Sequence, residues 1–256
     1  MTAEPLTEYL ENDDRAVVDK AVSLLMAFGP QGASGIGVSE LARRTGLSKS
    51  TAFRVLAMLV RNGVVERAGR GYRLGARLHA LGQAVYAPDH DRIRDVLIPY
   101  LLDLYEQTHE TVHLAALHGT DVLYLAKLYG HRQMPLPSRV YGRVPAYATG
   151  VGKAMLAYDP DALDLTLAQR LRPFTPHTIC DPQQLRAVLD DVRRTGIAVD
   201  DEEIAPGLTC LAMPVLGPGG RPTAALSVSV PTGRLDRAAT EPVLRRIVAA
   251  AARAVR

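Results

Sequence analysis

Between Val38 and Leu74 the chain reads VSELARRTGLSKSTAFRVLAMLVRNGVVERAGRGYRL, and the order of turn residues there permits few folds. Apolar spacing predicts a short helix over 39–44, and Thr45-Gly46-Leu47 a tight turn. Gly46 suits the left-handed backbone that ends a helix. Ser39 and Ser48 are residue types that cap helix N-termini. In the helix from Ser48, positions Ala52, Val55, Leu56 and Leu59 fall on one face and are expected to pack inward. Asn62-Gly63 ends it, and the remainder reads as two strands around a Gly-Arg-Gly tip. This is the order of a winged helix-turn-helix, which places its second helix in the DNA major groove.

The residues left facing outward fit that use. Lys49, Ser50, Thr51, Phe53 and Arg54 lie on the first turns of the second helix, where base edges are met. Arg43, Arg44 and the wing-tip Arg70 are expected on phosphates, and Ser39 and Ser48 complete the contact set. From residue 39 to 79 there are nine basic residues against Glu40 and Glu66, while the whole chain carries only +3. A local excess of this kind marks a phosphate-binding surface.

Around this segment the chain divides into four expected parts: a flexible tail over 1–12, the DNA-binding domain over 13–74, a linker helix over 75–88, and a second domain over 89–256. A first helix is expected from Asp13 to Phe28, with Val17, Ala21, Leu24, Leu25 and Phe28 inward. GPQGASGIG then reads as a flexible connection. Leu74, Leu78, Leu81 and Val85 recur at steps of four, three and four, the narrow seam of a helix that pairs with another helix; Pro88 is expected to end it. Packing on its own domain is equally compatible with that spacing.

The second domain alternates elements. A helix over 91–107 precedes TVHLAAL and VLYLAKL, strands joined by the hairpin signal His118-Gly119-Thr120-Asp121. Helices follow near 161–171 and 182–195, the second with Asp181 as cap and Pro182 at its first position. IAVDD, TCLAMPVL and TAALSVSV read as strands, and a terminal helix spans about 235–255. The class is α+β, an antiparallel sheet flanked by helices.

Four segments, in order, resemble signatures of the IclR family of bacterial transcription regulators: LSKSTAFRVLAML, GRVPAYATGVGKAMLA, GIAVDDEEIAPGLTCLAMPV and AALSVSVP. The likeness runs from about residue 15 to 252. It implies a second domain similar to a GAF-type sensor and a linker helix that helps hold a dimer or a dimer of dimers. It also implies a small-molecule effector, such as an organic acid or aromatic metabolite, bound by Leu136, Thr149, Gly150, Val151, Asp200, Cys210, Ser227 and Ser229. Val151 stands where the family often has Ala, which narrows the expected cavity. Ser227 and Ser229 alternate with Leu226, Val228 and Val230, so both hydroxyls share one strand face. Buried there, they need partners, whether a ligand's polar end, water or backbone.

Two motifs point elsewhere. His109-Glu110-Thr111-Val112-His113 matches the HExxH zinc-hydrolase pattern, which requires both histidines on one helical turn. A metal-dependent hydrolase on His109, Glu110 and His113 is therefore an alternative. However, an extended segment sets the two histidines roughly 13 Å apart at about 3.3 Å per residue. Gly150-Val151-Gly152-Lys153 looks like the end of a P-loop, but Tyr147 and Ala154 stand where Gly and Ser or Thr are required. It reads either as a helix start with amides open to an anion or as a close packing contact. No order of Ser, His, Asp and Cys commits the chain to catalysis, and neither a metal nor a cofactor is expected. A further alternative is an effector-independent architectural DNA-binding protein.

Glu4, Glu8, Glu11, Asp13 and Asp14 precede the first basic residue, Arg15, opposite to a signal peptide. No apolar run reaches 18 residues, and the two cysteines form no framework. A cytoplasmic, nucleoid-associated protein with no membrane partner is expected.

Overall fold

The computed structural model describes residues 16–29, 35–83, 88–131 and 137–255. The expected 1–12 tail, the start of the first helix, most of the GPQGASGIG connection, Val85 and Leu136 lie outside them. The chain forms two compact units that divide between Tyr86 and Ala87.

The first unit comprises α1 (Val17–Met26), α2 (Val38–Thr45), α3 (Lys49–Arg61), β1 (Val65–Ala68), β2 (Gly71–Leu74) and α4 (Arg77–Gln83). Leu24, Phe28, Leu41, Ala52, Val55, Leu56, Val65 and Tyr72 form its core. Val17, expected inward, is 59% exposed. The α2–α3 turn follows the sequence closely: Gly46 adopts φ +67°, and the Thr51 amide donates to Ser48 Oγ at 3.1 Å. Ser39 does not cap. The N-cap of α2 is Gly37, one residue before a helix that begins at Val38, so Ser39 sits within the first turn, exposed. Ile36, expected in a flexible connection, instead pairs with Tyr72 through backbone bonds of 2.8 and 2.9 Å. It thus extends the two-stranded wing. Leu74, expected to open the linker seam, instead ends β2 and is 38% exposed; on α4, Leu78 is half-buried and Leu81 is 54% exposed.

Pro88 does not end a helix; it begins α5 (Pro88–Thr108). Its missing N–H costs nothing at a first helical position, where that group has no partner. The second unit continues with β3 (Thr111–His118), β4 (Asp121–Leu128), β5 (Arg143–Pro145), α6 (Gly150–Leu156), α7 (Pro160–Leu167), α8 (Pro182–Thr195), β6 (Ala198–Asp201), β7 (Leu208–Leu216), β8 (Pro222–Pro231) and α9 (Arg237–Ala254). The six strands form one sheet, in the order β5-β4-β3-β8-β7-β6, with every described pair antiparallel. The expected hairpin is present, with His118 opposite Asp121 and Gly119 at φ +63°. Asp159, Asp181 and Asp236 cap α7, α8 and α9.

Helices α5 and α9 pack on one another and on the sheet, and α6 packs on β6, β7 and β8. Two glycines let α6 approach. A Cβ on Gly150 would lie 3.1 Å from Cys210 Sγ, and one on Gly152 only 2.0 Å from the Ala146 carbonyl oxygen, within a single 3-10 turn over Ala146–Ala148. Backbone cannot yield at 2.0 Å without moving the helix. Gly152→Ala should therefore cost at least about 2 kcal/mol, as overpacking against rigid backbone does, measured by urea denaturation. A change under about 0.5 kcal/mol would contradict this packing.

Candidate functional site

The residues expected to face DNA lie chiefly on α3 and in the β1–β2 turn. Lys49, Ser50 and Arg54 are exposed, Phe53 is 48% exposed, and Thr51 is half-buried. Arg70 is exposed in the turn between β1 and β2. Among the described residues Lys49, Arg54 and Arg70 have no carboxylate partner. Arg43 and Arg44 do: both bind Glu40, at 2.7 Å, and Arg44 also donates to the Ala27 carbonyl at 3.0 Å. These guanidinium hydrogen bonds hold the Glu40 carboxyl down at about 2. The Arg67 guanidinium lies 5.8 Å from the Phe53 ring centre and 4.5 Å from that of Tyr72. It ties the exposed face of α3 to the wing, a role the sequence count of charges did not reveal.

The second site lies in the sheet of the other unit. Pairing sets Asp200 opposite Cys210, Cys210 opposite Ser229, and Ser229 opposite Thr111. The next row on that face runs Ala212, Ser227, His113 and Lys127. The N-terminal turn of α6 closes over these rows. The resulting cavity, of about 20 Å3, is lined by Thr149, Gly150, Val151, Asp200, Cys210, Ser227 and Ser229, so seven of the eight expected pocket residues meet there. Leu136 falls outside the described residues. His113, Tyr124, Ser138, Ile204 and Leu208 line it as well and were not anticipated. Sequence alternation placed His113 in a strand, but its position facing Ser227 depends on a register with a strand over a hundred residues away.

His113 is buried. Its Nδ1 lies 3.5 Å from both Ser227 and Ser229 hydroxyls, and its Nε2 lies 2.8 Å from Ser138 Oγ. Lys127 Nζ donates to Ser138 Oγ at 3.0 Å. Burial, with the Lys127 charge nearby, pushes the imidazole down to about 3, so it is neutral at physiological pH. Burial pushes the Cys210 thiol up to about 11. The Asp200 carboxyl is pushed up to about 7 by desolvation, against the favourable Lys153 charge and a 2.8 Å hydrogen bond from the Glu203 amide.

Lys153, the residue that gave the P-loop likeness, is 1% exposed and ion-paired with the buried Glu203. It therefore holds α6 to the chain beyond β6. The Gly152 amide donates to Thr149 Oγ1 at 3.0 Å, so that donor is not open to an anion. The HExxH residues separate: His109 stacks on His131 at 5.1 Å between ring centres, while His113 faces the cavity. No group of three or more His, Cys, Asp or Glu among the described residues is placed to hold a metal. No helix there is long and apolar enough to cross a membrane.

A winged helix-turn-helix with unpaired cations on its recognition helix, in one chain with a polar-lined cavity, defines a ligand-responsive, DNA-binding transcription regulator. Residues 17–69 match the IclR helix-turn-helix domain, and residues 85–256 match the C-terminal domain of bacterial IclR transcriptional regulators. The chain belongs to the IclR family. It is 35% identical over 227 residues to the HTH-type transcriptional regulator KdgR of Escherichia coli, spanning 85% of each chain. The crystal structure of Thermotoga maritima IclR superposes with a TM-score of 0.77 at 30% identity, covering 93% of this chain and 98% of that one. An IclR homolog from Microbacterium hydrocarbonoxydans, solved in complex with 4-hydroxybenzoate, gives 0.75 at 29% identity, covering 94% and 99%.

A carboxyl whose folded value is raised from 3.8 to about 7 favours the protonated form. Its contribution to stability is full below about pH 4 and lost as pH rises through 7. Asp200→Asn carries no such loss. Thermal denaturation should show the variant gaining on the parent by about 2–3 kcal/mol between pH 5 and pH 8. A pH-independent difference would contradict a raised Asp200 value.

Proposed function

We propose that this protein is a homodimeric, or dimer-of-dimers, repressor of a metabolic operon, released from its operator by a small organic acid. The single observation that carries the reading is the buried row Asp200–Cys210–Ser229 beside Ser227 and His113, closed by α6. Its hydroxyls, the neutral imidazole and an Asp200 about half protonated near pH 7 offer hydrogen bonds to a carboxylate and reduced opposing charge. At about 20 Å3 the cavity has room for about one water, against roughly 300 to 1,000 Å3 for ligand pockets, so admitting an acid requires the α6 turn to move away from the sheet. Of the relatives, the Microbacterium homolog binds an aromatic acid, which supports the same class here.

Lys49, Ser50, Thr51, Phe53 and Arg54 read bases, Arg43, Arg44 and Arg70 hold phosphates, and Ser39 and Ser48 border them. Phosphate contacts set affinity and its salt dependence, and base contacts set sequence choice. The domains divide as 13–74, 75–88 and 89–256. The linker helix, on which Leu81 is exposed, pairs the two copies. The protein works in the cytoplasm at the nucleoid and performs no catalysis. A general base works best with a pKa near the operating pH, and His113 at about 3 is a poor base for the adjacent serines. Repression is the simpler sign, since occupying a promoter needs no added polymerase contact.

A gel shift on the DNA upstream of the protein's own gene tests this, repeated with a panel of small carboxylates and aromatic acids that includes pyruvate and 4-hydroxybenzoate. One acid should abolish the shifted band. Arg54→Ala should weaken operator binding by about 1–3 kcal/mol, or roughly 5- to 150-fold. Unchanged affinity and sequence preference in Arg54→Ala would contradict the assignment of α3.

A further inference from the structure

The outward stripe of α3 mixes two kinds of chemistry. Ser50, Phe53, Arg54 and Ala57 follow one another at i, i+3, i+4 and i+7, and all four are exposed. Ser50 and Arg54 are able to hydrogen-bond to base edges. Phe53 offers neither donor nor acceptor, yet its ring stands 48% exposed in the middle of the stripe.

That ring is also braced. Arg67 on β1 lies opposite Tyr72 on β2, whose side chain is 1% exposed in the core of the unit. The Arg67 guanidinium sits 4.5 Å from the centre of the Tyr72 ring and 5.8 Å from that of Phe53. A cation within about 6 Å of a ring centre is attracted to it. The buried tyrosine therefore fixes Arg67, and Arg67 holds the Phe53 ring toward the wing.

Each base pair shows the major groove a pattern of donors and acceptors, and the one apolar group among them is the C5 methyl of thymine. We propose that Phe53 reads that methyl, which makes thymine a fixed base of each operator half-site, and that Arg67 is the positioning residue that aims the ring. This inference rests on the assignment of α3 to DNA and deepens it by naming a base. Ser50 and Arg54, on either side of Phe53 in the stripe, read the hydrogen-bonding edges of the same or neighbouring pairs. A methyl contact releases no counterion, so its share of the affinity is insensitive to salt, unlike that of the phosphate contacts.

The test begins by selecting binding sequences for the unaltered protein from a random duplex pool. Each thymine of the selected sequence is then replaced singly by deoxyuridine, which differs only by the missing methyl. One position per half-site should lose about 4-fold in affinity, the weight of one apolar carbon taken out of contact. The factor should be the same at about 50 and 200 mM salt. Phe53→Ala should bind the thymine and deoxyuridine duplexes equally. Arg67→Gln lowers both affinities through its lost charge, but its discrimination should also shrink below about 2-fold, and Arg67→Lys should restore it. Lost charge alone lowers both affinities alike and leaves the ratio unchanged, so an unchanged ratio in Arg67→Gln would overturn the role of Arg67. Indifference of the unaltered protein to every replacement would overturn the proposal. So would a Phe53→Ala variant that keeps the full loss, because another side chain then meets the methyl. If Arg54→Ala loses the selected sequence while every deoxyuridine duplex binds like its parent, the α3 assignment stands and only this proposal falls. A pool that yields no preferred sequence overturns both.

Discussion

The register of β8 between its two neighbours governs everything the second unit does. Ser227 and Ser229 face the cavity because Ser227 lies opposite His113 and Ala212, and Ser229 opposite Thr111 and Cys210. A slip of one residue would turn both hydroxyls to the other face and bring Leu226, Val228 and Val230 into the cavity. The antiparallel ladder thus converts two hydroxyls at i and i+2 into one wall of the cavity. Their partners are drawn from β3, β6 and β7, so no single strand contains the site.

What seats the helix over that wall is a second constraint, made of small residues and one buried charge pair. Gly150 lets the backbone of α6 reach Cys210 and Ala212, and Gly152 lets it reach the Ala146 carbonyl. Lys153 then binds Glu203, whose own amide holds Asp200. The helix, the residues after β6 and the titratable wall of the cavity therefore form one connected set. Removing one partner of such a pair leaves an uncompensated buried charge, costing about 3–5 kcal/mol. A ligand that displaces Asp200 pulls directly on this set. The pair is made through Glu203 Oε1, and Glu203 Oε2 is buried and accepts no hydrogen bond among the described residues.

Local chemistry explains what was legible in the sequence. Ser48, Gly46, Asp181 with Pro182, and the His118–Asp121 hairpin each act within a few residues, and the structure uses each as read. Where two local solutions were equivalent, reading failed. Ser39 lost the cap to Gly37 because α2 starts one residue earlier, and Pro88 opens a helix as readily as it closes one. Ile36 joined the wing because Tyr72, 36 residues later, offered it two backbone bonds. The pocket was legible through family likeness at Thr149, Gly150, Val151, Asp200, Cys210, Ser227 and Ser229. His113 was not, since only the β3–β8 register brings it there, and a zinc-like motif drew attention away from its strand face.

The two sites lie in separate compact units, so the account requires that occupancy of one alter the affinity of the other. Coupling of this kind is reciprocal: if a ligand lowers affinity for DNA by some factor, DNA lowers affinity for that ligand by the same factor. Isothermal titration of the acid that abolishes the gel shift, with and without saturating operator, measures this directly. The account predicts that operator weakens ligand binding by about 5- to 150-fold, the usual range for allosteric coupling. It also predicts that a Ser227→Ala/Ser229→Ala variant, which lacks both hydroxyls, binds the acid more weakly while still binding operator. Equal ligand affinity in the presence and absence of operator would contradict it.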